Sequence, residues 1–241
     1  NDEGAEKLFH YNLMMVSTHR DKARVGTITS GMEHYLEWKD PYPLDLDDLG
    51  DSPSSQEIML AGLFNHQNFL EVLQNFTIFE PEGGRIIKKI PRYQQFRAVH
   101  KTIERLKTGK TSKDKSGVIW HTQGSGKSLT MVFLTVKMRR DPGLRDYKLV
   151  FLTDRTQLDT QLTSTFKHAQ DETIHHADSV KSLKELLESD SSGIITAMVQ
   201  KFQEKTGAIN FPVLNESEKI IVLADEAHRT QYGTLGAAIN I

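Results

Sequence analysis

The sequence predicts an α/β fold in which a parallel sheet is covered by helices on both faces. From Tyr93 onward, short apolar segments alternate with segments whose apolar residues recur at helical spacing. The expected strands are GVIWH, KLVFLT, GIITAM and KIIVLAD. Strands that are apolar throughout are buried on both faces, and helices are the usual connections between parallel strands. A glycine-rich turn after the first strand and an acidic pair after the last strand support this prediction.

The N-terminal part of the chain has a different pattern. Three segments are typical of short strands, and they are NLMMVSTH, ARVGTITS and HYLEW. Residues 40–55 are rich in Pro, Asp and Ser, as a linker is, and residues 56–75 are predicted to form an amphipathic helix. We therefore expect two parts, a small β-containing part at residues 1–50 and an α/β domain with its preceding helices at residues 56–241.

The later helices are predicted from the same apolar spacing. They are expected at residues 93–107, from the glycine-rich turn to about residue 139, at residues 155–166 and at residues 179–187.

Composition excludes several classes of protein. The 241 residues include no cysteine, which excludes disulfides and thiolate metal sites. No apolar run reaches the roughly 18–20 residues of a membrane span, and no secretory leader is present, so we expect a cytoplasmic protein without a membrane partner. Eleven Lys or Arg residues lie between Gly84 and Lys115. This basic stretch indicates either a face that attracts nucleic acid or nucleotide, or a solvated helix and loop.

The stretch HTQGSGKSLT, residues 121–130, matches the end of the phosphate-loop pattern G-x-x-x-x-G-K-[ST]. His121 stands where the first glycine is expected. Gly124 and Gly126 allow the backbone N–H groups and the N-terminus of the next helix to approach a phosphate. Lys127 would reach the β- and γ-phosphates, and Ser128 would hold Mg²⁺. The alternative is an ordinary glycine-rich turn before a helix.

Asp225 and Glu226 follow the last predicted strand, at the edge where open α/β sheets bind ligands. Asp225 would hold Mg²⁺, and Glu226 would orient and deprotonate the attacking water. The predicted catalytic residues are therefore Lys127, Asp225 and Glu226, and the predicted metal ligands are Ser128 and Asp225. The alternative for this acidic pair is a helix cap.

The two motifs resemble motifs I and II of superfamily 2 helicases and translocases, in which the first glycine of the loop is often replaced. The stretch RYQQFRAV resembles the adenine-recognition segment upstream of motif I, with Gln95 as the family glutamine and Gln94 as an alternative register. The resemblance implies ATP and Mg²⁺ as cofactors. The implied cofactor-binding residues are Arg92, Tyr93, Gln95, Gln123, Gly124, Ser125, Gly126, Lys127 and Ser128.

The whole set of motifs resembles the restriction subunit, which combines motor and endonuclease, of type I restriction-modification enzymes. The matching stretches include ARVGTITSGMEHYLEWK, FEPEGGRIIKKIPRYQQFRAVHKTIERL, VFLTDRTQLDTQ and VLADEAHRTQYG. The resemblance implies a RecA-like P-loop NTPase domain that follows a remnant of the nuclease domain and a helical linker. It also implies ATP-driven translocation and cleavage of double-stranded DNA, with methylation and specificity subunits as partners.

The resemblance also places several residues at the DNA-facing edge, where each could equally cap or pack against its own helix. These residues are Thr153, Asp154, Arg155, Gln161, Gln200, Lys201 and Phe202.

Two other metal sites suggested by the sequence are not expected. The triplet Glu37-Trp38-Lys39 has the spacing of PD-(D/E)xK nucleases, but it resembles a position after the family's catalytic residues. His175 and His176 are adjacent, so on a strand they point to opposite faces.

The resemblance further implies a second motor domain that supplies an arginine finger. Because the sequence ends at Ile241, shortly after the acidic pair, we expect this chain to be a fragment that is inactive alone. One alternative function is another superfamily 2 helicase that acts on DNA or RNA, and the stretches EGGRIIKKIPRYQQF and TDRTQLDTQ argue against it. The other is a nucleotide-binding scaffold that does not hydrolyse ATP, and Glu226 opposes that reading.

Overall fold

A computed structural model describes most of the chain, which divides into two compact units. The described residues are 6–9, 11–122, 124–153, 163, 174–189, 192–198 and 215–225. The first unit comprises residues 1–106 and 117–137, and the second comprises residues 107–116 and 138–241. The domain boundary expected near residue 50 stays a prediction.

The N-terminal hairpin forms where the sequence predicts it. Strand β1 (Met15–His19) pairs antiparallel with β2 (Lys22–Gly26). The third expected strand, HYLEW, is reduced to one bridge between Leu36 and Val25, with N–H to O distances of 2.9 and 3.1 Å. A 3₁₀ turn at Met32–His34 precedes the bridge, and this turn keeps the chain from running alongside β2 for longer.

Two helices replace the single helix expected at residues 56–75, and they are α1 (Ser55–Ala61) and α2 (His66–Asn75). The chain breaks at Gly62, where a Cβ would collide with the carbonyl oxygen of Asp40. The prediction of one continuous helix is therefore wrong, and not every apolar side chain of this stretch faces inward. Leu60, for example, is 63% exposed.

A second hairpin, which the sequence analysis did not predict, precedes the long helix of the first unit. Strand β3 (Ile78–Glu82) pairs antiparallel with β4 (Arg85–Lys89). Gly83 and Gly84 form the turn with φ of 58° and 80°. Two-residue hairpin turns of this kind need positive φ at both positions, which glycine adopts readily.

Two long helices confirm the predictions around the glycine-rich loop. They are α3 (Tyr93–Thr108) and α5 (Lys127–Arg140), with the short α4 (Ser112–Lys115) between them in the chain. Phe76, Phe96 and Phe133 are fully buried in the first unit, and the Phe76 ring lies 4.8 Å from Phe96 and 5.4 Å from Phe133. Large aromatic side chains dominate the burial energy of such a core.

A four-stranded parallel sheet forms the centre of the second unit, which confirms the predicted sheet type. Its strands, in spatial order, are β6 (Ile174–Ala177), β7 (Ile194–Met198), β5 (Lys148–Thr153) and β8 (Ile220–Ala224). Helix α6 (Val180–Glu188) connects β6 to β7 and packs Leu183, Leu186 and Leu187 against the sheet. Connections of this kind, in which a helix joins two neighbouring parallel strands, are typical of α/β domains.

The strand expected at residues 117–120 is not formed, which corrects the prediction. Val118 is 82% exposed and Trp120 is 88% exposed. None of the strands in the described parts of the chain pairs with this segment. Apolar composition alone does not make a strand, because the backbone also needs partners for its N–H and C=O groups.

The helices that the structure describes include none that is long and apolar enough to cross a membrane.

Candidate functional site

The glycine-rich loop turns sharply before α5. The Ser125 hydroxyl donates to the Thr122 carbonyl at 2.6 Å, and the Ser125 N–H donates to the same oxygen at 3.2 Å. Gly124 and Gly126 have φ of 75° and 86°. Helix α5 then begins at Lys127, and the first N–H groups of a helix have no acceptor within the helix. The loop therefore has the backbone geometry that binds anions at a helix N-terminus.

Gln95 links this loop to α3. Its side chain is 1% exposed, and its Oε1 accepts from the Arg92 N–H at 2.8 Å. Its Nε2 donates to the Gly126 carbonyl at 2.9 Å and lies 3.5 Å from the Ser125 carbonyl. The neighbouring Gln94 has a buried Oε1 without a hydrogen-bond partner among the described residues. Of the two glutamines, Gln95 is thus the one that supports the loop.

His121, Lys127 and Ser128 flank the loop and are half-buried. The buried Nδ1 of His121 has no hydrogen-bond partner in the described ranges. Burial and the nearby Lys127 ammonium lower the pKa of His121, so the imidazole is neutral at pH 7. His121, which stands where the pattern has its first glycine, therefore adds a polar nitrogen to the loop and no positive charge beyond that of Lys127.

A cavity of about 450 Å³ opens beside the loop, entirely within the first unit. It brings together five of the predicted cofactor-binding residues, which are Arg92, Tyr93, Gln95, Gly124 and Gly126. Its lining also includes the segment between β2 and Trp38, named here the upstream segment, which the sequence analysis did not assign to the site. The lining residues of this segment include Thr27, Thr29, Ser30, Glu33, Glu37 and Trp38.

Hydroxyl groups attach the upstream segment to β4. The buried Thr27 donates its hydroxyl hydrogen bond to the Lys88 carbonyl at 2.9 Å, and the Lys88 N–H donates to the Thr29 hydroxyl at 2.9 Å. The Thr27 and Ser30 hydroxyls are 2.9 Å apart. The sequence signal that could have revealed this attachment is the run TITS at residues 27–30, in which three of the four residues carry hydroxyl groups.

Asp225 lies in the second unit, directly after β8. It is buried, and its N–H donates to the Leu152 carbonyl at 2.9 Å, which extends the pairing of β8 with β5 by one residue. Thr153, at the carboxyl end of β5, is also buried. The predicted residues Gln123 and Glu226 lie outside the described residues. So do most of the implied DNA-facing residues, which are Asp154, Arg155, Gln161, Gln200, Lys201 and Phe202.

The described residues include no cluster of three or more His, Cys, Asp or Glu side chains that could hold a metal ion. The remaining candidate ligands are Ser128 and Asp225, which belong to different units and are therefore placed here separately.

The basic stretch is partly neutralised by acidic neighbours. Lys89 pairs with Glu80 at 2.6 Å, and although burial alone would lower the pKa of Lys89, Glu80 raises it overall. Arg97 lies over the Tyr42 ring, 3.9 Å from its centroid, and 3.6 Å from Asp40. Part of this stretch is therefore engaged within the protein itself.

Comparison with known families supports the motifs. Residues 94–241, more than half of the chain, match the profile described as SWI2/SNF2 ATPase. The chain belongs to the SWI2/SNF2 ATPase family. This assignment confirms the resemblance to superfamily 2 motors and identifies the parallel sheet as part of an ATPase domain.

Individual relatives of this SWI2/SNF2 ATPase carry type I restriction names. A putative type I restriction enzyme MjaIXP endonuclease subunit from Methanocaldococcus jannaschii is 34% identical over 95% of the chain. The type I restriction enzyme HindI endonuclease subunit from Haemophilus influenzae is 34% identical over 96% of the chain. In both matches the chain spans 23% of the relative's length. The similarity extends into the residues before 94, including the upstream segment, and confirms the resemblance to restriction subunits.

Proposed function

We propose that this chain binds Mg-ATP and is the ATP-binding part of the motor in the restriction subunit of a type I restriction enzyme. One observation supports ATP binding above the others. Two glycines with positive φ stand directly before α5, on the same cavity as Arg92 and Tyr93. The phosphate-binding geometry and the candidate base-binding residues thus occupy one site.

The loop residues fit a triphosphate. A Cβ on Gly126 would lie 2.5 Å from the Gln95 Nε2, and the φ of 86° at this position also favours glycine. The buried Nδ1 of His121 has no hydrogen-bond partner in the described ranges, and the first N–H groups of α5 have no acceptor within the helix. Loop amides from Gln123 to Gly126, together with the Lys127 ammonium, would contact the phosphate oxygens.

The catalytic roles follow from the chemistry of these side chains. Ser128 and Asp225 would hold Mg²⁺, which spreads the negative charge of the phosphates when it is bound. Lys127 would stabilise charge on the β- and γ-phosphates, and Glu226 would accept a proton from the attacking water. Asp225 is suited to its role because it is buried and directly follows the carboxyl end of a parallel strand, where ligands of α/β sheets bind.

The larger function is proposed from the relatives' names. Both of the 34% identical relatives are named as endonuclease subunits of type I restriction enzymes. We propose that ATP hydrolysis by the longer protein moves double-stranded DNA and leads to its cleavage. The methylation and specificity subunits would be its partners, and the cytoplasm would be its location.

Calorimetric titration of the 241-residue chain with a non-hydrolysable ATP analogue and Mg²⁺ tests this function. Lys127→Ala should weaken binding by tenfold or more, since it removes a charged partner of the phosphates. Lys101→Ala, at an exposed lysine of α3, is the matched control and should bind like the wild type. Glu226→Gln should also bind normally, because it removes a proton acceptor and keeps the side-chain shape. Equal affinities for the wild type and Lys127→Ala would refute the assignment of the loop.

A further inference from the structure

His121 stands in the loop where the phosphate-loop pattern has its first glycine, so its side chain is an addition to that pattern. The next residue, Thr122, supplies the carbonyl oxygen that accepts from both the hydroxyl and the N–H of Ser125. His121 is thus joined directly to the closed turn that contains Gly124 and leads to Gly126. Its imidazole therefore belongs to the immediate surroundings of the loop.

The imidazole of His121 lacks the partners that a buried histidine usually has. The residue is half-buried, and its buried Nδ1 has no hydrogen-bond partner in the described ranges. Within those ranges no carboxylate forms an ion pair with the ring. Buried polar atoms in proteins are usually hydrogen-bonded, so an exception beside a ligand site points to a role that involves the ligand.

The Lys127 ammonium influences the charge of His121 in the empty site. Burial and the repulsion from Lys127 both lower the pKa of the imidazole. Two neighbouring cations destabilise each other when no anion lies near them, so the empty loop favours the neutral ring. Of these two side chains, Lys127 alone is then charged at pH 7.

Phosphates bound at Lys127 would reverse this balance. A nucleotide triphosphate keeps a net negative charge even when one Mg²⁺ is bound to it. This charge offsets the repulsion from Lys127 and favours the protonated form of a nearby imidazole. The effect depends on the distance between charges and needs no hydrogen bond between the ring and the ligand. The proton comes from the solvent, and no other covalent bond changes.

We infer that His121 takes up a proton when a nucleotide binds and then serves as a second cation beside the phosphates. This inference rests on the proposed binding of ATP at the loop. The empty site avoids the repulsion between two adjacent positive charges, whereas the occupied site gains the attraction of both. Binding should therefore strengthen as the pH falls, because the bound state holds more protons than the free state.

Calorimetric titration of the 241-residue chain with a non-hydrolysable ATP analogue and Mg²⁺ can count these protons. The titration is repeated at pH 6.5 in two buffers that differ in their enthalpy of ionisation, and the difference in heat gives the number of protons taken up. The wild type should take up more protons than His121→Asn, whose amide does not titrate. Protonation of the nucleotide itself is common to both proteins and cancels in the comparison.

The affinities from the same titrations provide a second readout. Uptake of one full proton changes an affinity tenfold for each pH unit, so an uptake of about a third of a proton gives roughly threefold over 1.5 units. The ratio of wild-type to His121→Asn affinity should therefore rise about threefold between pH 7.5 and pH 6.0. His121→Gln is a second variant without a titrating ring and should behave like His121→Asn.

A matched control is available at His34, another histidine on the cavity. His34→Asn makes the same substitution and should take up as many protons as the wild type. Equal proton uptake by the wild type and both His121 variants, or loss of the uptake in His34→Asn, would overturn the role of His121. Failure of the wild type to bind the analogue at any pH would instead refute the proposed function.

Discussion

Replacing Gln95 by Ala should loosen the glycine-rich loop and lower the stability of the first unit. The substitution removes the hydrogen bonds at 2.8 Å from the Arg92 N–H and at 2.9 Å to the Gly126 carbonyl. Each such bond contributes about 1 kcal/mol. The Gly126 carbonyl keeps the Thr130 N–H as a donor at 3.1 Å, whereas the Arg92 N–H loses its acceptor, which adds about 1 kcal/mol.

The expected loss in the free energy of unfolding is therefore about 3 kcal/mol. For a protein of this size, that loss corresponds to a fall in Tm of roughly 6–12 °C. Thermal unfolding followed by circular dichroism measures the change, and urea unfolding checks it independently.

The adjacent glutamine provides a matched control for this experiment. Gln94→Ala removes an amide whose buried oxygen has no partner among the described residues, so its Tm should change by no more than about 2 °C. A fall of less than about 2 °C for Gln95→Ala, or an equal fall for both variants, would refute the argument that Gln95 holds the loop.

Two further predictions concern the loop glycines and a buried histidine. Gly126→Ala should lower the Tm more than Gly124→Ala. Both glycines have positive φ, but a Cβ at Gly126 would lie 2.5 Å from the Gln95 Nε2, whereas a Cβ at Gly124 meets no atom within 4 Å. Equal Tm values for the two variants would contradict this steric argument. Burial and the Lys137 ammonium lower the pKa of His100 below 6.5, so folding favours the neutral ring and stability should fall as pH drops below 6.5. His100→Phe should reduce the loss of Tm between pH 7 and pH 5, and an unchanged pH profile would count against this assignment.

The sequence was a good guide to the regular elements and to local motifs. Helices α3, α5 and α6 and strands β5, β7 and β8 lie where apolar spacing predicts them. Parallel pairing could be expected because those strands are apolar throughout. The loop before α5 could be recognised from residue types alone, since positive φ at its glycines is a local property of the backbone.

Features that depend on distant contacts could not be predicted in the same way. The break between α1 and α2 occurs at Gly62, next to Asp40, more than twenty positions earlier in the chain. The segment at residues 117–120 has the composition of a strand, but strand formation requires a neighbour that local sequence does not identify. The upstream segment joins the lining of the cavity and is attached to β4, about sixty positions later, through Thr27 and Thr29. Periodicity carries no information about such pairs.

The opposite environments of the two tryptophans give the chain a built-in optical reporter. Trp38 is 2% exposed and lines the cavity, whereas Trp120 is largely exposed and precedes the loop. The fluorescence of Trp120 should therefore emit at longer wavelength and be quenched by iodide, while that of Trp38 should emit at shorter wavelength and resist the quencher. In a Trp120→Phe variant, all remaining tryptophan emission would come from Trp38, so a nucleotide entering the cavity could be followed without attaching a dye.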